Sequence, residues 1–526
     1  VKRSVLCTAL LTVALCCLAF QAPSATPAIA ASAPASSGQA PSGVWYEIFV
    51  RSWYDTNGDG IGDLNGITAK LDYLQSLGVS GIWLMPINPS PSYHGYDITD
   101  YEAINPQYGT LDDFQHLLRE AHRRGIKVIM DMVINHTSDQ HPWFKAARDQ
   151  HSPYHDWYRW AGQYTDVDMS GATGGPAWHA LGSQHYMGIF VAQMPDLNYD
   201  NPAVRAQMIA IGRFWLKLGV DGFRLDAARH LYDKLPSDVD DPASLQKNIA
   251  WWSEYRRGLD AVNPNNYLVG EVTMPSASQL APYFKPLDAV FNFPLAVQLI
   301  DAAKAERNLD LAATLAHTYA SYRAASGDTI IKDAPFLSNH DQERVMSQLD
   351  DNPQHMRVAA AMLLTLPGEP YIYYGEELGL QGHKPDPALR EPMPWQRDPH
   401  AKGTTMWEPS VSGNGAAVSV AAEQAEPDSL LHYYTMLIHW RREIPALRDG
   451  SFRVYPEAND HLLAWQRADA QGAVLVVHNL SGAAQAMPLD VPGEPHYSKV
   501  LRQTGRGADI HDGSVWLPPY SSVILQ

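Results

Sequence analysis

Three short segments, occurring in one order, each carry a carboxylate at or next to their C-terminal end: Asp221-Gly222-Phe223-Arg224-Leu225-Asp226, Leu268-Val269-Gly270-Glu271-Val272 and Phe336-Leu337-Ser338-Asn339-His340-Asp341. Each is an apolar run of strand character, and an ionised carboxylate buried in a strand loses solvation unless it is paired. Acids at strand ends therefore mark a mouth where the sheet stops and chemistry starts. One carboxylate attacking an anomeric carbon, with a protonated one giving its proton to the leaving oxygen, is the machinery of glycosidic bond cleavage. Retention of configuration needs the two about 5–5.5 Å apart. Neighbouring strands lie about 4.7–4.9 Å apart, so Asp226 and Glu271 on consecutive strands meet that need. Asp341 nearby raises the proton affinity of Glu271 by repulsion, and Arg224, two residues before Asp226 and on the same side of the strand, keeps Asp226 ionised. Taken singly the signals are weaker. Arg224 and Asp226 read equally as a buried ion pair, and His136 or His340 as a structural histidine.

The elements that position these acids follow from the alternation of strand-like and helical runs after Val44. The strand-like runs are Val44–Trp53, Val79–Pro86, Lys127–Ile134, Gly222–Leu225, Tyr267–Val272, Ala289–Phe293, Ala334–Ser338 and Tyr371–Tyr374; amphipathic runs such as Leu111–Arg124 and Ala203–Leu218 fall between most of them. Such repeated alternation predicts parallel pairing closed into a (β/α)8 TIM barrel, whose catalytic residues sit at the C-terminal ends of the strands. About 65 residues rich in Trp, Tyr, His and Gly separate the third run from the helix starting near Pro202, and a loop of that length inside a compact domain is structured and functional. It reads as a domain inserted over the barrel mouth. After Leu430–Leu447 the pattern changes to short alternating strands, clearest at Leu462–Gln466, Ala473–Asn479 and Val515–Leu517, which predicts a C-terminal antiparallel β domain. It reads as a packing module whose aromatics, such as Trp465, Trp516 and Tyr520, are few and fit a core. The expected organisation is a signal peptide at 1–30, a linker at 31–42, the barrel at 43–136 and 199–448, the insertion at 137–198 and the β domain at 449–526.

Composition narrows the setting. The 526 residues are 45% hydrophobic and 18% charged, which fits one large globular catalytic domain with additions. Lys2 and Arg3, the apolar stretch Val5 to Phe20 and a tract rich in Ala, Ser and Pro have the layout of a secretory signal peptide. Ala28-Ile29-Ala30 is the best cleavage site, with Ala25 or Ala22 as earlier options, and the apolar run is short for a membrane anchor. Cys7, Cys16 and Cys17 all lie in this leader, so the mature chain has no thiol, which excludes zinc–thiolate sites and cysteine nucleophiles. The net charge of −18, about −20 once Lys2 and Arg3 are removed, argues against nucleic acid or anionic membranes as partners. It suits a neutral substrate and divalent cations.

Asp55-Thr56-Asn57-Gly58-Asp59-Gly60-Ile61-Gly62-Asp63 alternates oxygen ligands with glycines, as a loop wrapped around a hard cation does. The Glu that closes an EF-hand is absent, and a pair of Asn-Gly and Asp-Gly turns is the other reading.

Together these segments resemble the α-amylase family, glycoside hydrolase family thirteen. Asp131–His136, Gly222–Asp226, the Gly-Glu-Val around Glu271 and Ser338–Asp341 resemble its four main conserved regions, over about residues 44 to 526. The resemblance implies Asp226 as nucleophile, Glu271 as general acid/base and Asp341 as the acid holding the distorted sugar. It implies that His136, Arg224 and His340 hydrogen-bond that sugar, that Tyr96 stacks on it, and that Asp386 and Arg390 line the non-reducing side. It further implies calcium held by the side chains of Asp55, Asn57, Asp59 and Asp63 with the carbonyl of Ile61. A second calcium is implied at Asn135, Asp196 and the carbonyl of His230, which needs a further acid such as Asp166 or Asp168. Met194-Pro195-Asp196-Leu197-Asn198 is intermediate between the oligo-1,6-glucosidase form, Gln-Pro-Asp-Leu-Asn, and the neopullulanase form, Met-Pro-Lys-Leu-Asn. Tyr93 stands where exo-glucosidases of the family carry an acid, which favours an open cleft and internal attack. The expectation is a secreted or periplasmic, monomeric, calcium-binding α-amylase acting on starch and maltooligosaccharides, with no membrane contact after leader cleavage. An exo-acting α-glucosidase or a maltooligosaccharide transglycosylase with the same acids remains open, as does a lectin that uses the barrel only to bind.

Overall fold

The apolar runs become parallel strands. In the computed structural model the described residues are 43–163, 165–232, 241–327, 333–412 and 418–526; the expected signal peptide, the linker at 31–42 and the cysteines lie outside them. Trp45–Ile48, Gly81–Leu84, Lys127–Met132, Gly222–Leu225, Tyr267–Gly270 and Ala289–Val290 pair in that order, and Tyr371–Tyr373 pairs with the first. The ring closes through residues 334–336, where Phe291 bridges Ala334 and Phe336 bridges Tyr371. This seventh barrel position is short because Pro335 has no N–H to donate to a ladder. Aromatic and branched side chains fill the barrel interior, among them Trp45, Trp83, Ile129, Tyr267, Phe291 and Tyr371.

Helices return the chain between strands, as parallel pairing requires. Leu111–Arg123 opens on a capping box between Thr110 and Asp113, and Pro202–Leu218 runs from an Asn201 cap to Gly219 at φ 110°. Two predicted runs divide. After Trp45–Ile48 the chain makes a helical turn, Val50–Trp53. The predicted helix Leu430–Leu447 is two helices, Leu430–Glu443 and Pro445–Asp449, since Pro445 keeps Ile444 extended and donates no hydrogen bond.

The insertion leaves the third strand and returns alongside it, with bridges from His136 to Asp196 and from Tyr158 to Leu197. It contains the hairpin Trp178–Leu181 and Gln184–Met187. The C-terminal domain is a five-stranded antiparallel sheet facing a three-stranded one made of Gln485–Pro488, Ser514–Leu517 and Asp509–His511. Leu475, Val477, Met487, Val515 and Val523 pack between them. Trp465 is core, as expected, whereas Trp516 is 42% exposed. The domain is pinned to the barrel by Arg467, wholly buried, which donates to the carbonyls of Thr365, Gly450 and Ser451.

Candidate active site

Strand register brings the two key acids together. Leu225 is opposite Gly270 in the parallel ladder, and the Glu271 amide donates to the Leu225 carbonyl at 2.9 Å. Asp226 and Glu271 thus leave neighbouring strands side by side. Arg224, 1% exposed, stands one residue before the end of its strand and its guanidinium serves three carboxylates. Nη1 reaches Asp131 Oδ1 at 2.8 Å and Asp226 Oδ1 at 2.6 Å, and Nη2 reaches Glu271 Oε2 at 2.8 Å. Glu271 Oε2 also accepts from the Ala227 amide at 2.9 Å. Both donors meet the same oxygen, so Oε1 is the one placed to carry a proton. Asp226, which lines the cavity, likewise receives Arg224 on Oδ1, which leaves Oδ2 clear of the guanidinium.

Burial pushes Asp226 and Glu271 above the ordinary carboxylate range; Arg224 opposes this, and repulsion from Asp341 adds to it for both. Burial similarly takes Asp131 up to about 7 against the pull of Arg224. Asp341 behaves differently. Burial would raise it, but the charge and hydrogen bond of His340, with Arg390 and Arg224, hold it well below the usual range. Its side chain is open to the cavity and meets His340 Nε2 at 3.0 Å and Arg390 Nη2 at 2.9 Å. His340 is buried between two acids, with Nδ1 on Glu47 Oε1 at 2.6 Å. Burial opposes its charge, yet Asp341 and Glu47 raise it to about 10, so it is a cation at neutral pH.

These groups face a cavity of about 660 Å³ lined by His94, Tyr96, His136, Phe190, Asp226, Glu271, Asp341, Asp386 and Arg390, among others. The Tyr96 hydroxyl bonds Asp131 Oδ2 at 3.0 Å and His340 Nε2 at 2.6 Å, and its ring lies parallel to His340 at 5.4 Å. His136 Nε2 meets the Tyr96 carbonyl at 3.0 Å, and burial lowers its pKa to about 4, so it is neutral. Arg390 also reaches Asp386 at 3.4 Å. Tyr93 stacks on Trp407 at 5.3 Å and lies under the Arg390 guanidinium at 5.7 Å, so an aromatic ring, not an acid, meets that cation.

Seven of the nine residues assigned to catalysis or sugar contact line this cavity; Arg224 and His340, expected to touch the sugar, lie buried behind it and hold its acids instead. Sequence reasoning gave no role to Asp131, Glu47 or Trp83, the last donating from Nε1 to Asp131 Oδ2 at 3.3 Å. The available signal was an acid inside an otherwise apolar strand, as in Trp45-Tyr46-Glu47-Ile48 and Lys127-Val128-Ile129-Met130-Asp131-Met132.

In the glycine-rich loop, Asp55 accepts from the amides of Asn57, Gly58 and Gly60, and Asp59 from Ile61. Asp63 caps the helix Leu64–Ala69 and takes the amide and hydroxyl of Thr56. The donors are hard oxygens, and among the described residues no Lys or Arg pairs with Asp55, Asp59 or Asp63, so the donor set suits a hard cation. Among the described residues no three His, Cys, Asp or Glu side chains are already gathered around one point as metal ligands. At the second expected site, Asn135 and Asp196 are buried in contact at 3.2 Å. His230 lies on the cavity wall, edge-on to Phe190. Asp166 and Asp168 are exposed on the insertion.

Comparison with known proteins agrees with this architecture. The family described as alpha amylase, catalytic domain, matches residues 47–450, and that described as alpha-amylase SusG C-terminal domain matches residues 462–524. The chain is 39% identical over 487 residues to Alpha-amylase 3 of Dictyoglomus thermophilum, covering 92% of this chain and 93% of that one. It is 31% identical over 554 residues to a probable oligo-1,6-glucosidase 2 of Bacillus subtilis, covering 92% and 98%. The crystal structure of an alpha-amylase from H. orenii superposes with a TM-score of 0.85 at 43% identity, covering 92% and 99%.

Proposed function

Since the chain belongs to the α-amylase family of glycoside hydrolases, we propose that it cleaves internal α-1,4-glucosidic bonds of starch and maltooligosaccharides with retention of configuration. The observation that carries this reading is the sharing of one guanidinium by Asp226 and Glu271 in register at the cavity floor. In the first step Glu271 Oε1 protonates the glycosidic oxygen as Asp226 Oδ2 attacks the anomeric carbon, so the C–O bond to the leaving chain breaks as the ester to Asp226 forms. In the second, Glu271 takes a proton from water, the hydroxide oxygen bonds the anomeric carbon, and Asp226 leaves as a carboxylate. Asp341, held by protonated His340 behind it, takes the hydroxyls of the reacting sugar, neutral His136 adds a hydrogen bond, and Tyr96 carries the ring. Asp386 and Arg390 bound the next site.

Internal attack is supported by Tyr93, whose stack with Trp407 beside Arg390 offers a continuing chain an aromatic surface in place of an acid. The exo reading is supported by the likeness to oligo-1,6-glucosidases. We assign calcium to Asp55, Asn57, Asp59, Asp63 and the Ile61 carbonyl, where it would neutralise three acids and stiffen the loop; a second ion at Asn135, Asp196 and the His230 carbonyl has the weaker donor set. The protein acts as an exported monomer, secreted or periplasmic, in keeping with Lys2, Arg3 and the apolar run behind them. No helix among the described residues is long and apolar enough to cross a membrane.

The test is the product profile on soluble starch for wild type beside Glu271→Gln. Rapid loss of iodine staining with mixed maltooligosaccharides, abolished in the variant, is expected. Glucose alone with slow loss of staining refutes internal attack, and hydrolysis undiminished in the variant refutes the catalytic assignment.

A further inference from the structure

Trp516 is the one tryptophan exposed among the described residues. A single exposed apolar side chain is ordinary on a protein surface, so its setting has to carry the argument. In the three-stranded sheet, Ala486 and Asp509 lie directly opposite Trp516, while Pro488 and His511 lie opposite Ser514. Directly opposed residues share a face, and so do residues two apart along a strand. The outer face is therefore one indole surrounded by Ala486, Pro488, Ser514, Asp509 and His511. Their neighbours Met487, Val515 and Leu517 point the other way into the domain core.

This face is built to keep the ring in place. His511 lies parallel to Trp516 at 5.3 Å with 7° between planes, and its Nδ1 is held by Asp512 Oδ2 at 3.2 Å. Asp512 and Gly513 make the two-residue turn of the hairpin, with φ of 52° and 70°, the pairing that best matches strand twist. Small side chains beside the ring leave its edges clear, and Asp509, Ser514 and His511 supply donors and acceptors at its rim. The indole is thus braced on one side by His511 and stays 42% exposed to solvent.

We propose that this face is a surface binding site for an α-glucan chain, separate from the cleft. A glucose unit offers a flat face of C–H bonds edged with hydroxyls, which matches one ring with a polar rim. A protein partner needs a wider apolar patch than one indole, and the acidic chain disfavours polyanions. The choice of α-glucan over other sugars rests on the proposed substrate. Such a site holds the enzyme on a polymer or granule while the cleft works on a nearby segment, and contributes nothing to short substrates.

The test uses the full-length protein with Trp516→Ala and Trp516→Tyr, measuring adsorption to granular starch, migration in native gels containing amylopectin, and turnover of maltoheptaose. Trp516→Ala is expected to weaken adsorption about tenfold, the scale of one lost aromatic contact. Trp516→Tyr, which keeps a stacking ring, retains most of it, and maltoheptaose turnover equals wild type in both. Equal adsorption by wild type and Trp516→Ala overturns the proposal, as does a wild type that does not adsorb. Trp516-dependent adsorption without hydrolysis of maltoheptaose by any form supports this site while refuting the proposed activity.

Discussion

Glu47→Gln is the change that most directly tests how the cavity keeps a buried cation. Glu47 is 1% exposed and lies on the first strand, behind His340, where it touches no part of the cavity. Burial favours the neutral form of His340, yet Asp341 and Glu47 together carry it from 6.5 to about 10. That rise corresponds to about 5 kcal/mol. Asp341, the larger contributor, is nearly half open to the cavity and its pull is screened accordingly, so removing the buried charge of Glu47 forfeits a substantial part of that stabilisation. A raised histidine contributes stability that is complete below its unfolded value near 6.5 and is lost as pH climbs through the folded value near 10. Glu47→Gln leaves His340 with a smaller rise, so its share is lost at a lower pH. The melting temperature of Glu47→Gln should therefore fall a few degrees below wild type at pH 7, and the gap should narrow as pH climbs toward 10. The alkaline limb of kcat/KM should move toward neutrality in the variant, as His340 discharges earlier and releases Asp341. Thermal melts at one scan rate across pH 6–11, paired with pH–rate profiles, read both. A gap that stays constant from pH 7 to pH 10, with an unmoved alkaline limb, would falsify the assignment of His340 as a cation maintained by Glu47.

Three further outcomes follow from the same contacts. Glu271→Gln should cut turnover by roughly 10²–10⁴ while glucan binding persists in equilibrium dialysis with maltoheptaose; loss of binding in step with turnover would make Glu271 structural. Calcium chelation should lower the melting temperature and added calcium restore it, with about 2.7 kcal/mol at a hundredfold excess over Kd; Asp59→Ala, an exposed loop residue, should abolish the response, and a chelator-insensitive wild type would remove calcium from this loop. Arg467→Met strips the donors from three carbonyls, Thr365, Gly450 and Ser451, at about 1–3 kcal/mol for each left unsatisfied. Calorimetry should then show the C-terminal domain melting apart from the barrel, and a single unchanged transition would show that Arg467 does not join them.

The part of the fold legible in the sequence is the part set by local pattern. Strand runs separated by amphipathic helices specify a barrel, and an acid ending an apolar run specifies the mouth, because both depend on neighbours within a few residues. Pro335 and Pro445 were equally local, and each cut an element that apolar content alone extended. Trp516 was local too. In Ser514-Val515-Trp516-Leu517 the alternation sends Val515 and Leu517 inward and the indole outward, whereas counting aromatics makes it core. Closure of the ring is different. Glu47 meets His340 across 293 residues and Arg224 meets Asp131 across 93, and no periodicity in either segment records those partners.

That distinction matters most for Arg224. Sequence spacing pairs it with Asp226 alone, which accounts for an ionised nucleophile but leaves the proton on Glu271 to repulsion from a single neighbour. The folded site divides the guanidinium among Asp131, Asp226 and Glu271 and adds Glu47 and Asp341 around His340 and Arg390. Five acids then face three cations, and buried charge of one sign is too costly to leave uncompensated. Protons must enter the cluster. Asp131, taken up to about 7, and Asp226 and Glu271, both raised by burial, share them. Asp341 and its cations keep the other end ionised. Of these three, Asp131 is sealed beneath Tyr96 and Trp83 and Asp226 is gripped by Arg224 at 2.6 Å, while Glu271 opens to the cavity with Oε1 uncommitted. On the proposed mechanism the proton for a glycosidic oxygen is thus imposed by the charge of the whole cluster and reaches substrate from Glu271, whose Oε1 is uncommitted.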